Sequence, residues 1–281
     1  MTVQEALFAG QQILKKEGMD SPALDAALLL SQARHTSRER LYMDLGESLT
    51  PGEISHYHCS MRRRGSGEPV AWILGFKEFW NRNFVVGPGV LCPRPDSEVL
   101  VEAALENMDS SGDSGGTLHD CCCGPGTLAI SLACERPHWV FSASDISETA
   151  AGYFRKNNRA LCGGRVDFIA SDLMEGISAH FDIVISNPPY LTPAETDTRV
   201  AHGWKEPALA LNGGGDDGLD LIRRLLPRAR ARLVRMGLIL LEANPLQMSS
   251  IRQILSENGF IKIRLHKDMA GRERVIGGYK E

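Results

Sequence analysis

From residue 117 onward, short apolar runs rich in branched side chains alternate with longer segments of helical periodicity. This alternation is typical of a parallel β-sheet covered by helices on both faces. It predicts strands at 117–121, 139–145, 166–170, 181–186, 237–243, 261–266 and 274–279, and helices at 126–135, 149–161, 218–235 and 246–258. Because residues 267–273 are too few for a crossover helix, the last two strands should pair antiparallel. The predicted fold is α/β, a Rossmann-like seven-stranded sheet with its last strand antiparallel.

The strand predicted at 181–186 ends in the tetrapeptide Asn187-Pro188-Pro189-Tyr190. Two prolines stop the ladder of hydrogen bonds, so a stiff corner should form where open α/β sheets bind ligands. A planar NH2 group needs two acceptors in its plane and a ring to stack on. The Asn187 side-chain oxygen and the Pro188 carbonyl can be these acceptors, with Tyr190 as the ring. For the tetrapeptide alone, a simple turn with a packed tyrosine is the alternative interpretation.

The first predicted strand leads through Asp120 into a turn that opens a helix. Glycines at such a turn let a ligand approach the backbone closely. The turn lacks the third glycine of a dinucleotide loop, which disfavours NAD. The turn residues predicted to contact a cofactor are Cys122, Cys123, Gly124, Pro125 and Gly126.

Two further acids close the second and third strands. Asp145 stands where a carboxylate can accept both hydroxyls of a ribose. Asp172 can accept from the exocyclic amine of an adenine, with Leu173 against the ring, and Asp120 can reach the amino group of a methionine moiety. Asn187 is predicted to contact both the cofactor and the acceptor. The pattern as a whole predicts S-adenosylmethionine and an acceptor that carries an NH2 group.

The first part of the chain predicts a small bundle of four or five helices. Ser21-Pro22 and Thr50-Pro51-Gly-Glu53 read as helix starts, the second as a capping box. Residues 1–70 are predicted to be a recognition domain, although a merely stabilising cap is the alternative. Residues 71–92 are aromatic and are interrupted by glycines, which predicts a β-hairpin linker. The β-rich pattern already starts at Val70. Residues 93–281 are predicted to be the catalytic domain.

Between these parts, Pro93-Arg94-Pro95-Asp96-Ser97 opens a helix in which Asp96 or Ser97 can act as the cap. Arg94 is a candidate substrate-binding residue, with a surface ion pair as the alternative. Residues 109–116 predict a loop without apolar periodicity.

Composition limits the class of partner. The net charge of −4 does not suit a bulk nucleic-acid binder. Six arginines cluster in the helix predicted at 218–235, where a solvated helix face is favoured over a nucleic-acid patch. No apolar run reaches the roughly 18 residues of a membrane span, and no signal peptide is evident. Seven cysteines, an odd number with three consecutive and no zinc-type spacing, predict reduced thiols in a cytoplasmic protein without a metal site. We expect a monomer.

These motifs together resemble the HemK/PrmC methyltransferases, which methylate the side-chain amide nitrogen of a glutamine in peptide-chain release factors. The resemblance covers nearly the whole chain and is strongest from Glu68 onward. It implies the Rossmann-like sheet of class I methyltransferases. It implies that the Asn-Pro-Pro-Tyr tetrapeptide, including Pro189, is the substrate motif and that the helical domain binds the release factor. The segments that carry it further are Glu68-Pro-Val-Ala, Pro93-Arg-Pro-Asp-Ser-Glu98, Glu206-Pro-Ala-Leu-Ala-Leu211, Gly214-Gly-Asp-Asp-Gly-Leu219 and Arg272-Glu-Arg-Val275.

Three positions depart from the family pattern. Cys122 stands where the family usually has glycine, so its side chain is expected to crowd the methionine end of the cofactor. Ser144 replaces a more usual apolar residue, and Asn244 stands where glycine is common.

Two other functions are compatible with parts of the pattern. Adenine also presents an NH2 group, so an adenine-N6 nucleic-acid methyltransferase would use the same tetrapeptide, although it must also hold a phosphate backbone. A non-catalytic protein that only binds the cofactor or a partner is the second alternative, suggested by the unusual run Cys121-Cys122-Cys123.

Overall fold

The computed structural model describes residues 1–110 and 115–281. The chain divides into two compact units, one of residues 1–76 with 198–205 and one of residues 77–197 with 206–281. Half of the predicted loop at 109–116 lies outside the described residues, which omit 111–114. Its first two residues, Asp109 and Ser110, belong instead to the preceding helix.

The first unit contains five helices within residues 1–76. Four of them lie within residues 1–70, where the sequence predicts a bundle of four or five. A capping box starts the fourth helix, in which Thr50 and Glu53 each bond the backbone of the other. Ser21 is the N-cap residue of the second helix and Pro22 lies in its first turn, as predicted, although the Ser21 side chain makes no capping bond. The helices are α1 Val3–Lys16, α2 Pro22–Ala33, α3 Arg38–Met43, α4 Pro51–Gly65 and α5 Val70–Leu74.

The fifth helix corrects the prediction that β structure begins at Val70. Residues Val70–Leu74 form a helix in spite of their branched side chains. Pro69 precedes it and Gly75, with a φ of 84°, ends it in the left-handed region. The predicted hairpin follows as β1 Phe76–Phe79 and β2 Arg82–Val85. The residues at its two ends therefore determine that this short segment is a helix, although its branched interior residues favour a strand.

A seven-stranded sheet within the described residues forms the second unit, with the order β5-β4-β3-β6-β7-β9-β8. Neighbours from β5 to β7 are parallel, whereas β9 runs antiparallel to both β7 and β8. The predicted Rossmann-like sheet with an antiparallel last strand is confirmed. The strands are β3 Thr117–Cys121, β4 Val140–Asp145, β5 Val166–Ala170, β6 Phe181–Ser186, β7 Leu233–Glu242, β8 Phe260–Lys267 and β9 Glu273–Lys280.

Helices cover both faces of this sheet, and an apolar cluster fills the space on each side. Each of the four helices predicted in this region is present. The sequence misses α9, whose few apolar residues give a weak helical pattern. The helices are α6 Glu98–Ser110, α7 Thr127–Glu135, α8 Glu148–Cys162, α9 Pro193–Ala201, α10 Asp220–Arg232 and α11 Met248–Glu257. Because β3 to β7 are parallel, their carboxyl ends meet at one edge, where ligands of such sheets bind.

Candidate active site

A cavity of about 270 Å³ lies at the carboxyl ends of β3 to β6. It is lined by predicted cofactor residues and predicted substrate residues together. Among the predicted site residues, the lining includes Arg94, Cys122, Cys123, Gly124, Pro125, Asp145, Asp172, Leu173, Asn187 and Pro189. Gly126, Pro188 and Tyr190 are next to lining residues in sequence, and Asp120 is two residues before Cys122, but these four do not line the cavity.

The glycine turn between β3 and α7 is held by backbone geometry. Gly126 has a φ of 87°, and a Cβ added there would lie 2.6 Å from Ile130 and from Phe154. No residue other than glycine fits without displacing both side chains. Asn157, which is fully buried, donates to the Pro125 carbonyl at 2.9 Å. The turn is therefore held by packing against the core and by a hydrogen bond from α8.

Cys122 occupies a left-handed conformation with a φ of 62°. It is half-buried and lines the cavity. Its sulfur lies 4.0 Å from that of Cys121, which is fully buried. A residue with a Cβ is disfavoured in this region, where glycine costs nothing. The cysteine that replaces the family's glycine thus brings both backbone strain and a side chain to the wall of the cavity.

Asp145 ends β4 and is tied to the glycine turn. Its carboxylate accepts from the backbone N–H groups of Gly124 and Ser147, each at 2.8 Å. Burial raises the pKa of Asp145, although these N–H groups oppose the rise. Each carboxylate oxygen keeps a lone pair for a further donor. Ile146 follows with its side chain 57% exposed and on the cavity wall, so a carboxylate and an apolar surface adjoin.

Asp120 is fully buried behind the turn. One oxygen accepts from the Ala129 N–H at the start of α7 at 3.2 Å, and the other has no partner among the described residues. Burial, together with the charge of Asp145, raises the pKa of Asp120 to about 8. A buried carboxylate with an open oxygen favours a nearby cation.

The segment after β5 carries a partner that the sequence does not reveal. The Asp172 carboxylate forms an ion pair with Arg224 of α10, and Arg228 donates to the Asp172 carbonyl at 3.2 Å. Leu173, 5% exposed, has a φ of 56°. Asp172 therefore lines the cavity with part of its acceptor capacity already used by an arginine.

A buried polar network supports this segment from β3 and β4. The Ser144 hydroxyl donates to the Leu173 carbonyl at 2.9 Å. Having given its one proton, Ser144 can only accept from His119 Nε2, at 2.9 Å, so Ser142 donates to Nδ1 at 2.8 Å. Burial lowers the pKa of His119 to about 4, which keeps the imidazole neutral. The unusual Ser144 thus exchanges an apolar contact for a hydrogen bond to the cavity wall.

Asn187 follows β6 and is held by a side chain from a distant segment. Its Nδ2 donates to the Ser97 hydroxyl at 3.2 Å. Ser97 belongs to a 3-10 turn, Pro95–Ser97, where the predicted caps are used differently. Asp96 pairs with Arg274 at 2.7 Å, and Ser97 accepts from Asn187. With its NH2 end occupied, the Asn187 carboxamide has its oxygen available to the cavity.

The backbone after Asn187 is packed against a glycine loop. A Cβ added at Gly218, which has a φ of 73°, would lie 2.2 Å from the Tyr190 carbonyl oxygen. Gln247 donates to the same carbonyl at 2.8 Å. Tyr190 is half-buried and packs on the apolar cluster beside it, and Pro188 is buried. The rigid corner predicted from the two prolines therefore has tertiary support on both sides.

Asn244, another departure from the family pattern, positions the Gln247 side chain that contacts Tyr190. Its side chain accepts from the Leu246 N–H at 3.0 Å. The Asn244 N–H in turn donates to the side-chain oxygen of Gln247 at 3.2 Å. This capping box fixes the Gln247 side chain that reaches Tyr190.

Arg94 forms an ion pair with Glu206, whose side chain is only 3% exposed. Glu206 also accepts from the Cys92 N–H at 2.8 Å. Arg94 lines the cavity while held in this pair, so the functional and the ion-pair interpretations of this residue are both compatible with its position.

Several residues of this region escaped the sequence analysis. Ser97, Glu206, Arg224 and Glu242 become recognisable only through tertiary contacts. Ile146 carried a usable signal, since an apolar residue directly after the acid of a strand end is well placed to cover a ring.

The arginines of α10 are used within the unit. Arg223 pairs with Asp217, Arg224 with Asp172, and Arg228 with Glu175. These contacts favour the solvated, ion-paired face over a nucleic-acid patch. Across residues 1–110 and 115–281, no group of three or more acidic, His or Cys side chains could hold a metal ion. The helices in the same residues are all too short or too polar to cross a membrane.

Comparisons with known proteins agree with this architecture. Residues 5–75 match the PrmC N-terminal domain and residues 84–216 the methyltransferase small domain. A solved T. thermophilus 16S rRNA N2 G1207 methyltransferase (RsmC), in complex with AdoMet and guanosine, superposes with a TM-score of 0.55 at 22% identity. That superposition covers 73% of this chain and 50% of RsmC, and it supports the fold.

Curated relatives align over nearly the full length. A release factor glutamine methyltransferase from Moorella thermoacetica is 35% identical over 100% of this chain and 99% of its own length. One from Neisseria gonorrhoeae is 38% identical over 92% of this chain and 93% of its own length. The chain belongs to the release factor glutamine methyltransferase family.

Proposed function

We propose that the protein transfers a methyl group from S-adenosylmethionine to the side-chain amide nitrogen of the glutamine in the Gly-Gly-Gln loop of peptide-chain release factors. The observation that carries the proposal is the position of Asn187. Its NH2 end is held by Ser97, and its oxygen borders a cavity that acids from neighbouring strand ends also line. Full-length relationship to proteins named for this reaction supports the choice of acceptor.

The donors and acceptors of the cavity fit S-adenosylmethionine. Asp145 offers lone pairs suited to ribose hydroxyls, and the adjacent Ile146 and Leu173 offer apolar surfaces suited to an adenine. Asp120 lies behind the glycine turn and does not line the cavity, but its oxygen without a hydrogen-bond partner in the described part of the chain suits the ammonium of the methionine moiety. The cofactor supplies an electrophilic methyl group on a sulfonium. Asp172, paired with Arg224, keeps lone pairs for the adenine amine.

The residues of the acceptor half position a poor nucleophile. An amide nitrogen is weakly reactive because its lone pair is delocalised into the carbonyl. Hydrogen bonds from the substrate NH2 to the Asn187 oxygen and the Pro188 carbonyl fix its plane and raise electron density on nitrogen, and Tyr190 covers the amide. Such positioning can lower the activation free energy of methyl transfer by several kcal/mol. The apolar walls of the cavity would favour transfer from a bound sulfonium, because the positive charge of the sulfonium is lost in the reaction. The amide proton then leaves to water.

We further propose that the helical unit recognises the release factor. Large apolar side chains are exposed on it, including Phe8 at 65% and Met43 at 75%. A monomer without nucleic acid or membrane contacts suffices for this reaction. All seven cysteines are free, which suits the reducing cytoplasm. Light scattering of the purified protein tests the monomer.

The decisive experiment incubates the protein with labelled S-adenosylmethionine and a purified release factor. Mass spectrometry should place one added methyl on the glutamine of the Gly-Gly-Gln loop. The matched control is a release factor with that glutamine changed to alanine, which should stay unlabelled. Label on DNA or RNA offered in parallel, with none on the release factor, would contradict the proposal and favour an adenine acceptor.

A further inference from the structure

Glu242 is a buried carboxyl beside the acceptor corner that the proposed reaction does not use. It is the last residue of β7 and only 2% exposed. The parallel register pairs Ser186 of β6 with Leu241 of β7, so the next residues, Asn187 and Glu242, are level with each other across the sheet.

Ser97 and Asn187 both act on Glu242. Each lowers the pKa of its carboxyl through a hydrogen-bonding side chain, in opposition to burial. Asn187 Nδ2 donates to the Ser97 hydroxyl, and the strand register puts Glu242 level with Asn187, so the three side chains lie together. The other charged groups that act on Glu242 are Asp96, before Ser97, and Arg274 of β9, which pair with each other at 2.7 Å.

This carboxyl is poorly suited to stabilising the fold. Its Oε2 has no hydrogen-bond partner among the described residues. A buried carboxylate with an unsatisfied oxygen costs free energy of folding. An apolar or amide side chain at this position would avoid that cost, so a role in function is the better explanation for the acid.

We propose that Glu242 is a positioning residue that sets the orientation of the Asn187 carboxamide. A carboxylate can only accept hydrogen bonds, so it selects the NH2 end of Asn187 and leaves the oxygen for the cavity. Without this selection, the two ends of the amide compete, since rotation about its last torsion is broad and roughly two-fold. The negative charge also polarises the amide and strengthens its oxygen as an acceptor. This inference rests on the proposed function, in which that oxygen binds the substrate NH2.

Glu242→Gln tests the idea with little change in shape. The turnover number should fall roughly tenfold to hundredfold, as for other residues that orient a group in contact with the reacting atoms. Affinity for S-adenosylmethionine by calorimetry and KM for the release factor should stay within about twofold. The matched control is Asp182→Asn, which removes a carboxylate at the opposite end of β6, where Asp182 bonds Thr117. This control should keep its turnover number.

A measurement that needs no methyl transfer separates this inference from the proposed function. In protein labelled with 15N-asparagine, the Asn187 side-chain NH2 signal is identified by its loss in Asn187→Ala. It should titrate with pH in the wild type, because burial raises the pKa of Glu242 to about 7, and it should neither titrate nor keep its shift in Glu242→Gln. An Asn187 signal unchanged by both pH and the substitution would overturn the positioning role. Wild-type protein that fails to label any release factor overturns the proposed function instead, and the NMR result still decides the orientation of Asn187.

Discussion

The two halves of the site are held in different ways. In the cofactor half, side chains bond to backbone groups nearby in sequence: Asp120 to Ala129, nine residues on, and Asp145 to Gly124, 21 residues back. In the acceptor half, the partners are distant. Ser97 and Asn187 are 90 residues apart, and Gln247 and Tyr190 are 57 apart. Apart from Asp172, which pairs with Arg224 52 residues away, the cofactor half is thus held by local contacts to the backbone, whereas the acceptor half depends on the assembled sheet.

This difference predicts how each half fails. A substitution in the cofactor half should disturb the backbone of a turn and therefore stability or cofactor affinity. A substitution in the acceptor half should leave the fold and the bound cofactor intact and affect the chemical step. Four substitutions test this division, two in each half.

The largest effect is expected for Gly126→Ala. The added Cβ lies 2.6 Å from Ile130 and Phe154, and the φ of 87° is unfavourable for alanine. Overpacking of about 1–3 kcal/mol and backbone strain of about 1–2 kcal/mol together lower the free energy of unfolding by about 2–5 kcal/mol. Chemical denaturation measures it. Gly124→Ala is the matched control, with a φ of 54° but no atom within 4 Å of its Cβ, so it should lose only the strain. Equal losses in the two variants would show that the core contact does not matter.

Asn187→Ala tests the acceptor half directly. Turnover should fall by about 10²-fold or more, equivalent to about 2.7 kcal/mol of barrier, because the substrate amide loses one of its two acceptors. Calorimetry should find cofactor binding preserved. Asn258→Ala, which removes a carboxamide at the end of α11 outside the cavity lining, is the control. Near-normal turnover of Asn187→Ala would refute the proposed role and remove the distinction between the two halves.

The same distinction explains what the sequence can predict. Strands β3, β5 and β6 have the predicted limits because turn residues mark their ends: Gly115-Gly116 before β3, Gly163-Gly164 before β5 and Asn187-Pro188 after β6. The residues Asp145 and Asn187 could be placed because parallel strands bring their carboxyl ends to one edge. The partners Ser97, Arg224 and Glu242 could not, since no local pattern relates positions 52 to 90 residues apart. Two local errors, the helix at Val70–Leu74 and the missing α9, arose where propensity or apolar periodicity is weak.

Glu242→Gln should have opposite effects on stability and on turnover. The pKa of Glu242 is raised to about 7 by burial, so its neutral form is favoured in the folded state. Its contribution to stability is therefore complete below its ordinary pKa of 4.5 and is lost as the pH rises through about 7. At pH 8 the substitution should remove a penalty of about 3 kcal/mol and add about 1 kcal/mol for burying an amide. Thermal unfolding should thus show a gain of about 2 kcal/mol at pH 8 and a loss of about 1 kcal/mol at pH 4. Equal stability differences at both pH values would contradict a buried, titrating carboxyl.

The smallest effect is expected at Cys122, where the chain departs from its family within the cofactor half. Cys122→Gly relieves the φ of 62° and opens the cavity wall, while glycine adds conformational entropy to the unfolded state. These two effects on stability nearly cancel, but the affinity for S-adenosylmethionine should rise about two- to fivefold, because its methionine end is no longer crowded.

Cys122→Ala separates the causes, since it keeps the Cβ and the strained backbone and removes only the sulfur. If alanine gives the same gain as glycine, the sulfur is the obstacle. If alanine binds as the wild type does, the backbone of the turn is the obstacle. Unchanged affinity in both variants would mean that the cofactor does not approach Cys122, which contradicts its predicted contact. Because each outcome is read in cofactor affinity and not in turnover, this residue tests whether the cofactor half can be altered without affecting the acceptor corner.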